Sequence, residues 1–166
     1  MSINTTLLAM KDAQISEIHR TPSKIHTLTA SPLQTEPSDI LLPLDKSWHG
    51  IHFAITGTDG IAAFPLGFIV SGGKEIGEEN LGYGPARAFG ADEVQEIAYS
   101  VLRIDKARFT AGLKDVWTNN VALYGIQEDP SEASNEIEYC YGYFQYLQIF
   151  LKAASAKGLG MIVIMN

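Results

Sequence analysis

The sequence predicts an α+β fold in one domain: a small sheet packed with several helices, the last of them long and followed by a terminal strand. Three observations lead there. Val94, Ile97, Ala98, Val101 and Leu102 recur at helical spacing, and so do Ile137, Tyr141, Phe144, Leu147, Leu151 and Ala154. Met161 to Met165 is unbroken, apolar and partly β-branched, which reads as a strand buried on both faces. A chain of 166 residues suits one such domain and needs neither disulfide nor metal to stay folded.

From the N-terminus, residues 3–10 read as a strand and 11–20 as a short helix starting near Asp12. Residues 21–43 hold Pro22, Pro32, Pro37 and Pro43 among many Ser and Thr, a density that argues against helix or central strand. That stretch is expected to be a long connection, tacked down by Leu41 and Leu42. Asp45 is placed to cap a helix over 46–56 that Gly57 closes, with a strand over 51–55 as the alternative. The glycine-rich stretch 58–85 contains one compact apolar piece, 66–71, either a short strand or a helical turn. A helix over 91–104 follows, then short helical pieces that Asp105 and Thr110 can each cap and that bury Phe109, Leu113, Val116 and Trp117. Residues 121–126 suit a short strand. The long helix starts at Pro130, behind the cap Asp129, or at Asn135, and stops at Gly158. From Asn135 it spans about 34 Å.

Composition excludes several function classes. The net charge of −7, from 19 acids and 12 bases, repels phosphate backbones and argues against nucleic acid. It favours a basic protein partner, and Glu75, Glu78, Glu79, Glu128 and Asp129 are the acids placed to steer one. No apolar run is long enough for a membrane span, and Met1 to Met10 lacks the basic start of a signal peptide, so the expected location is cytoplasmic. Cys140, the single cysteine, reads as a small buried hydrophobe.

Three segments carry a resemblance. They are 44–53 (LDKSWHGIHF) with Thr56-Gly57, then Pro65-Leu66 through Val70-Ser71-Gly72-Gly73, then Ile76-Gly77 with Gly82-Tyr83-Gly84-Pro85-Ala86-Arg87. In order and spacing this chain resembles the YfbM-like family of uncharacterised bacterial proteins. The resemblance is specific over about residues 42–104. Residues 21–40 depart from it, since the family often has a shorter, more acidic connection there. It implies a small cytoplasmic α+β domain and no established activity, cofactor or catalytic residue.

Chemistry has few footholds in the sequence. His49 and His52 share a helical face, but two imidazoles without a third ligand do not make a metal site, and no metal or cofactor is expected. Gly73-Lys74 is followed by Glu75, which breaks a phosphate loop, and no nucleophile elbow is present. Trp48, His52, Tyr83 and Arg87 remain as a candidate ligand pocket, with Arg87 reading a carboxylate or phosphate. The competing reading pairs Arg87 internally with Asp45 or a nearby Glu. Two functions therefore stand side by side. One is a non-enzymatic binding protein, such as an immunity protein that neutralises a toxin. The other is a small enzyme or small-molecule binder built on those four residues.

Overall fold

The computed structural model describes residues 2–30 and 40–166. Among these residues five strands form one antiparallel sheet: β1 (Thr5–Met10), β2 (Leu41–Asp45), β3 (Lys74–Ile76), β4 (Ala86–Phe89) and β5 (Gly160–Met165). Their spatial order is β2-β1-β5-β4-β3, so β5 lies in the middle. It pairs with β1 from Met165 opposite Thr5 to Gly160 opposite Met10, and with β4 from Val163 opposite Arg87 to Met161 opposite Phe89. The predicted terminal strand is thus the centre of the sheet, with all six residues buried.

Strand alternation sorts side chains between two cores. Leu7, Ala9, Phe89, Met161, Val163 and Met165 face the larger one. It is closed by α3 (Ser47–Thr56), α4 (Ala91–Val101), α5 (Lys106–Thr118) and α6 (Ala133–Ala156). On the other face Ala86, Ala88, Ile162 and Ile164 meet Ile15, Ile18 and Ile25 of α1 (Asp12–Arg20) and α2 (Lys24–Ala30). The two faces explain why β5 is apolar at every position.

The fold class, β1, α1, α3, α4, α5, α6 and β5 agree with the sequence reading. Several details do not. Residues 24–30 form a helix inside the expected connection, because the interval between Pro22 and Pro32 is proline-free and buries Ile25. Leu41–Asp45 is a strand despite Pro43. It lies at the sheet edge, where an absent N–H need not cost a ladder bond. Residues 31–39 of the expected connection lie outside the described residues. Asp45 does not cap α3. It ends β2 at φ +49°, and the cap position is Lys46. Thr110 lies within α5, whose cap is Asp105, with its carboxylate accepting from the Arg108 N–H at 2.8 Å. Residues 121–126 are not a strand: Leu123 and Ile126 reach the core from irregular chain, and Gly125 takes φ +74°. A 3-10 turn, Pro130–Glu132, precedes α6.

Helix crossings here are close. A Cβ on Gly112 of α5 would stand 2.3 Å from the Ala54 carbonyl oxygen of α3. Backbone on both sides leaves no flexible group to move aside. Gly112→Ala is therefore expected to cost about 1–3 kcal/mol despite alanine's better helix propensity, read as a lower urea midpoint. Cys140 packs where α6 meets Gly50 of α3, and burial pushes its thiol up to about 12, so it stays protonated and inert.

Candidate functional site

Trp48, His49 and His52 stand on α3, and Arg87 on β4 points to the same layer. The local sequence dictates this: i, i+1 and i+4 residues line one side of α3, and Arg87 shares its strand face with buried Phe89. Trp48 is buried, and its indole N–H donates to the Ile3 carbonyl at 3.0 Å. Its ring stacks on His49 at 4.6 Å and meets Tyr124 at 6.0 Å and Tyr83 at 6.3 Å. Tyr83 itself is 54% exposed.

The two histidines act on backbone. His49 Nδ1 accepts from the Tyr124 N–H at 2.9 Å, so its Nε2–H is the donor to the Asp59 carbonyl at 2.8 Å. His52 Nε2–H donates to the adjacent Gly60 carbonyl at 2.7 Å. The H-x-x-H spacing thus clamps consecutive carbonyls of the loop after α3. Among the described residues no three His, Cys, Asp or Glu side chains gather as a ligand set.

Arg87 is occupied by carbonyls too. Its guanidinium donates to Phe68 at 3.1 Å, Gly72 at 3.0 Å and Ile69, the end of the 3-10 turn Leu66–Ile69 and the bend after it. These are the orphan acceptors of a helical C-terminus, and a planar fork with five donors suits them. The guanidinium also lies over the Phe89 ring, 5.9 Å from its centre. Burial lowers its pKa to about 10, opposed by Glu75 directly across the β3–β4 ladder. Asp45, expected as an internal partner, does not pair with Arg87. The structure gives the Asp45 carboxylate to the Tyr139 hydroxyl instead, at 2.7 Å.

The loop carrying Tyr83 is held by a residue the sequence reading overlooked. Asn80 Oδ1 accepts from the N–H groups of both Gly82 and Gly84 at 2.9 Å. An Asn two residues ahead of a glycine was the available signal. Gly82, at φ +144°, lies against the backbone of Asn166, where a Cβ would come within 2.8 Å.

The structure therefore brings Trp48 against Tyr83, and places His52 within electrostatic reach of Arg87. Two surface hollows, of about 350 and 540 Å³, are lined elsewhere, by α1–α2 and by Pro65 with α4. Neither includes any of the four residues. The acids are exposed: Glu75 on β3, Glu78 and Glu79 after it, Glu128 and Asp129 before α6. Glu79 pairs with His26 at 2.7 Å, and Asp129, whose carboxyl is held down by hydrogen bonds from Ser131, caps the turn before α6.

Among the described residues, three buried side-chain polar atoms have no hydrogen-bond partner: Asn4 Oδ1, Thr5 Oγ1 and His52 Nδ1. Of these only the His52 ring, fully buried, can take up a charge. Burial lowers its pKa most. The Gly60 bond raises it, His49 lowers it, Asp59 raises it and Arg87 lowers it, for a net fall below 6.5. A histidine with a depressed folded pKa stabilises the fold above its unfolded pKa, near 6.5, and loses that contribution as pH falls through the folded value. Unfolding midpoints are expected to drop below pH 6.5, and His52→Gln, which keeps a donor for Gly60, is expected to flatten that part of the profile. An unchanged profile in the variant contradicts this assignment.

A family model described as a domain of unknown function, DUF1877, matches residues 1–164. Among curated proteins none matches. The crystal structure of YfbM from Escherichia coli, a protein of unknown function, is similar with a TM-score of 0.73 at 18% identity, over 98% of this chain and 99% of that one. The likeness bears out the YfbM-like α+β fold expected from the motifs. At that identity it speaks for the fold alone.

Proposed function

Because the chain belongs to the DUF1877 family of domains of unknown function, we propose its function from its own chemistry. It is a non-enzymatic cytoplasmic protein that binds a basic protein partner, and an immunity protein that occludes a toxin is the concrete form. The observation that supports this most is the disposition of charge. The cation at the centre, Arg87, is turned onto three backbone carbonyls. Glu75, Glu78, Glu79, Glu128 and Asp129 meet solvent, in a chain of net charge −7. Such a surface steers cationic partners over a range set by ionic strength.

Affinity capture from the native host tests the reading. The expected result is a stoichiometric basic partner whose binding weakens with salt and with Glu75→Lys, Glu78→Lys and Glu79→Lys, or with Glu128→Lys and Asp129→Lys. No stoichiometric partner, or binding indifferent to both charge sets, sinks it. The ligand-binding alternative retains two observations of its own: the unpartnered Nδ1 of His52 and the exposed face of Tyr83 beside Trp48. It requires a small molecule that shifts the His52 imidazole resonances.

A further inference from the structure

α6 buries one side only. Ile137, Cys140, Phe144 and Leu147 face the core. The opposite side would ordinarily be polar. Instead Tyr139, Gly142, Tyr146, Ile149 and Ala153 succeed one another at alternating steps of three and four residues, the repeat of a helix–helix seam. Tyr139 is 36%, Tyr146 49% and Ile149 63% exposed. Around the position of a Cβ on Gly142 no atom of the described residues lies within 4 Å. Along one border of this stripe stand Glu138, Gln145 and Lys152, seven residues apart. Glu138 makes only an exposed pair with Lys106 at 3.3 Å, and Lys152 makes no ion pair among the described residues.

We infer that this stripe is a homodimer interface, in which α6 packs antiparallel on α6 of a second copy about a two-fold axis at the level of Phe144. The pattern selects the occupant. About that axis, which lies at the middle of α6, Tyr146 of the second copy faces Gly142, and its ring fills the gap the glycine leaves. Ile149 of the second copy faces Tyr139. Lys152 of the second copy lies beside Glu138, their side chains leaning toward each other because each points back along its own helix. Two-fold symmetry makes each of these contacts twice. A parallel pairing would set Gly142 on Gly142 and Tyr146 on Tyr146, leaving a void beside a clash, and would put no base beside Glu138. A generic basic partner would account for Glu138 and leave Lys152 facing like charge.

Sedimentation equilibrium of the full chain tests it. The expected mass rises from 18.1 kDa toward twice that value as concentration approaches about 200 μM. Ile149→Glu, at an exposed position, is expected to stay monomeric with an unchanged circular dichroism spectrum. Glu138→Lys and Lys152→Glu should each weaken association about tenfold, since each sets like charges together twice, and the double variant should restore it. A wild-type chain that remains monomeric, a dimer indifferent to Ile149→Glu, or a double variant no better than the singles overturns the inference.

Discussion

Removing residues 160–166 is expected to abolish cooperative folding, leaving insoluble protein or a chain without a thermal transition. β5 is hydrogen-bonded on both sides, to β1 and to β4. Without it the sheet divides into the pair β1–β2 and the short pair β3–β4, and two-stranded pieces are marginal by themselves. The loss in burial is as severe. Met161, Ile162, Val163, Ile164 and Met165 are all buried, on two different core faces. Each such side chain contributes about 1.5–3 kcal/mol. Five together match the net stability of a typical domain, about 5–15 kcal/mol. Val163→Asp makes the same point in a chain of full length. It places a carboxylate in the larger core between Leu7 and Arg87 of the flanking strands, and is expected to unfold the protein at neutral pH. A soluble, two-state truncated chain would show that the sheet is held by something other than its middle strand.

Arg87→Met is expected to cost about 3 kcal/mol, seen as a fall of about 6–12 °C in the melting temperature. Methionine keeps an apolar stem against Phe89 but deletes every donor. The carbonyls of Phe68, Ile69 and Gly72 then lose their side-chain partner, two of them on buried residues. Arg87→Lys should recover only part of the loss, because one ammonium does not span three acceptors as a planar fork does. Neutralising Glu75 is expected to do little, since it is exposed and acts on Arg87 only through charge. A melting temperature unmoved by Arg87→Met would show that the guanidinium is not a structural brace and return it to the candidate ligand site.

How legible each part was follows from length and periodicity. α4, α6 and β5 carry long or unbroken apolar patterns, and such patterns survive any tertiary context. β3 and β4, of three and four residues, offer no period to read, and the glycines around them hide the ladder. Arg87 looked like a ligand-binding cation because its sequence neighbours are small and its acceptors lie 15 to 19 residues away, on backbone atoms that every sequence has. The H-x-x-H pair argues against a metal site by count alone, since two imidazoles lack a third ligand, but only coordinates show the rings ending on Asp59 and Gly60. Proline density concealed α2 and β2, because proline limits the residues beside it and the edge of a sheet tolerates it. The outer stripe of α6 went unread, because its apolar spacing gains meaning only once the buried side of the helix is known.

The polar groups at the middle of the fold hold backbone rather than ligand. Nitrogen-15 spectra of the imidazoles, recorded at pH 7 with and without added zinc, phosphate and acetate, test this most directly. His49 and His52 are both expected to carry their proton on Nε2, with none of the additions moving their resonances. A proton on Nδ1 of either ring, or a saturable shift on titration, would contradict it.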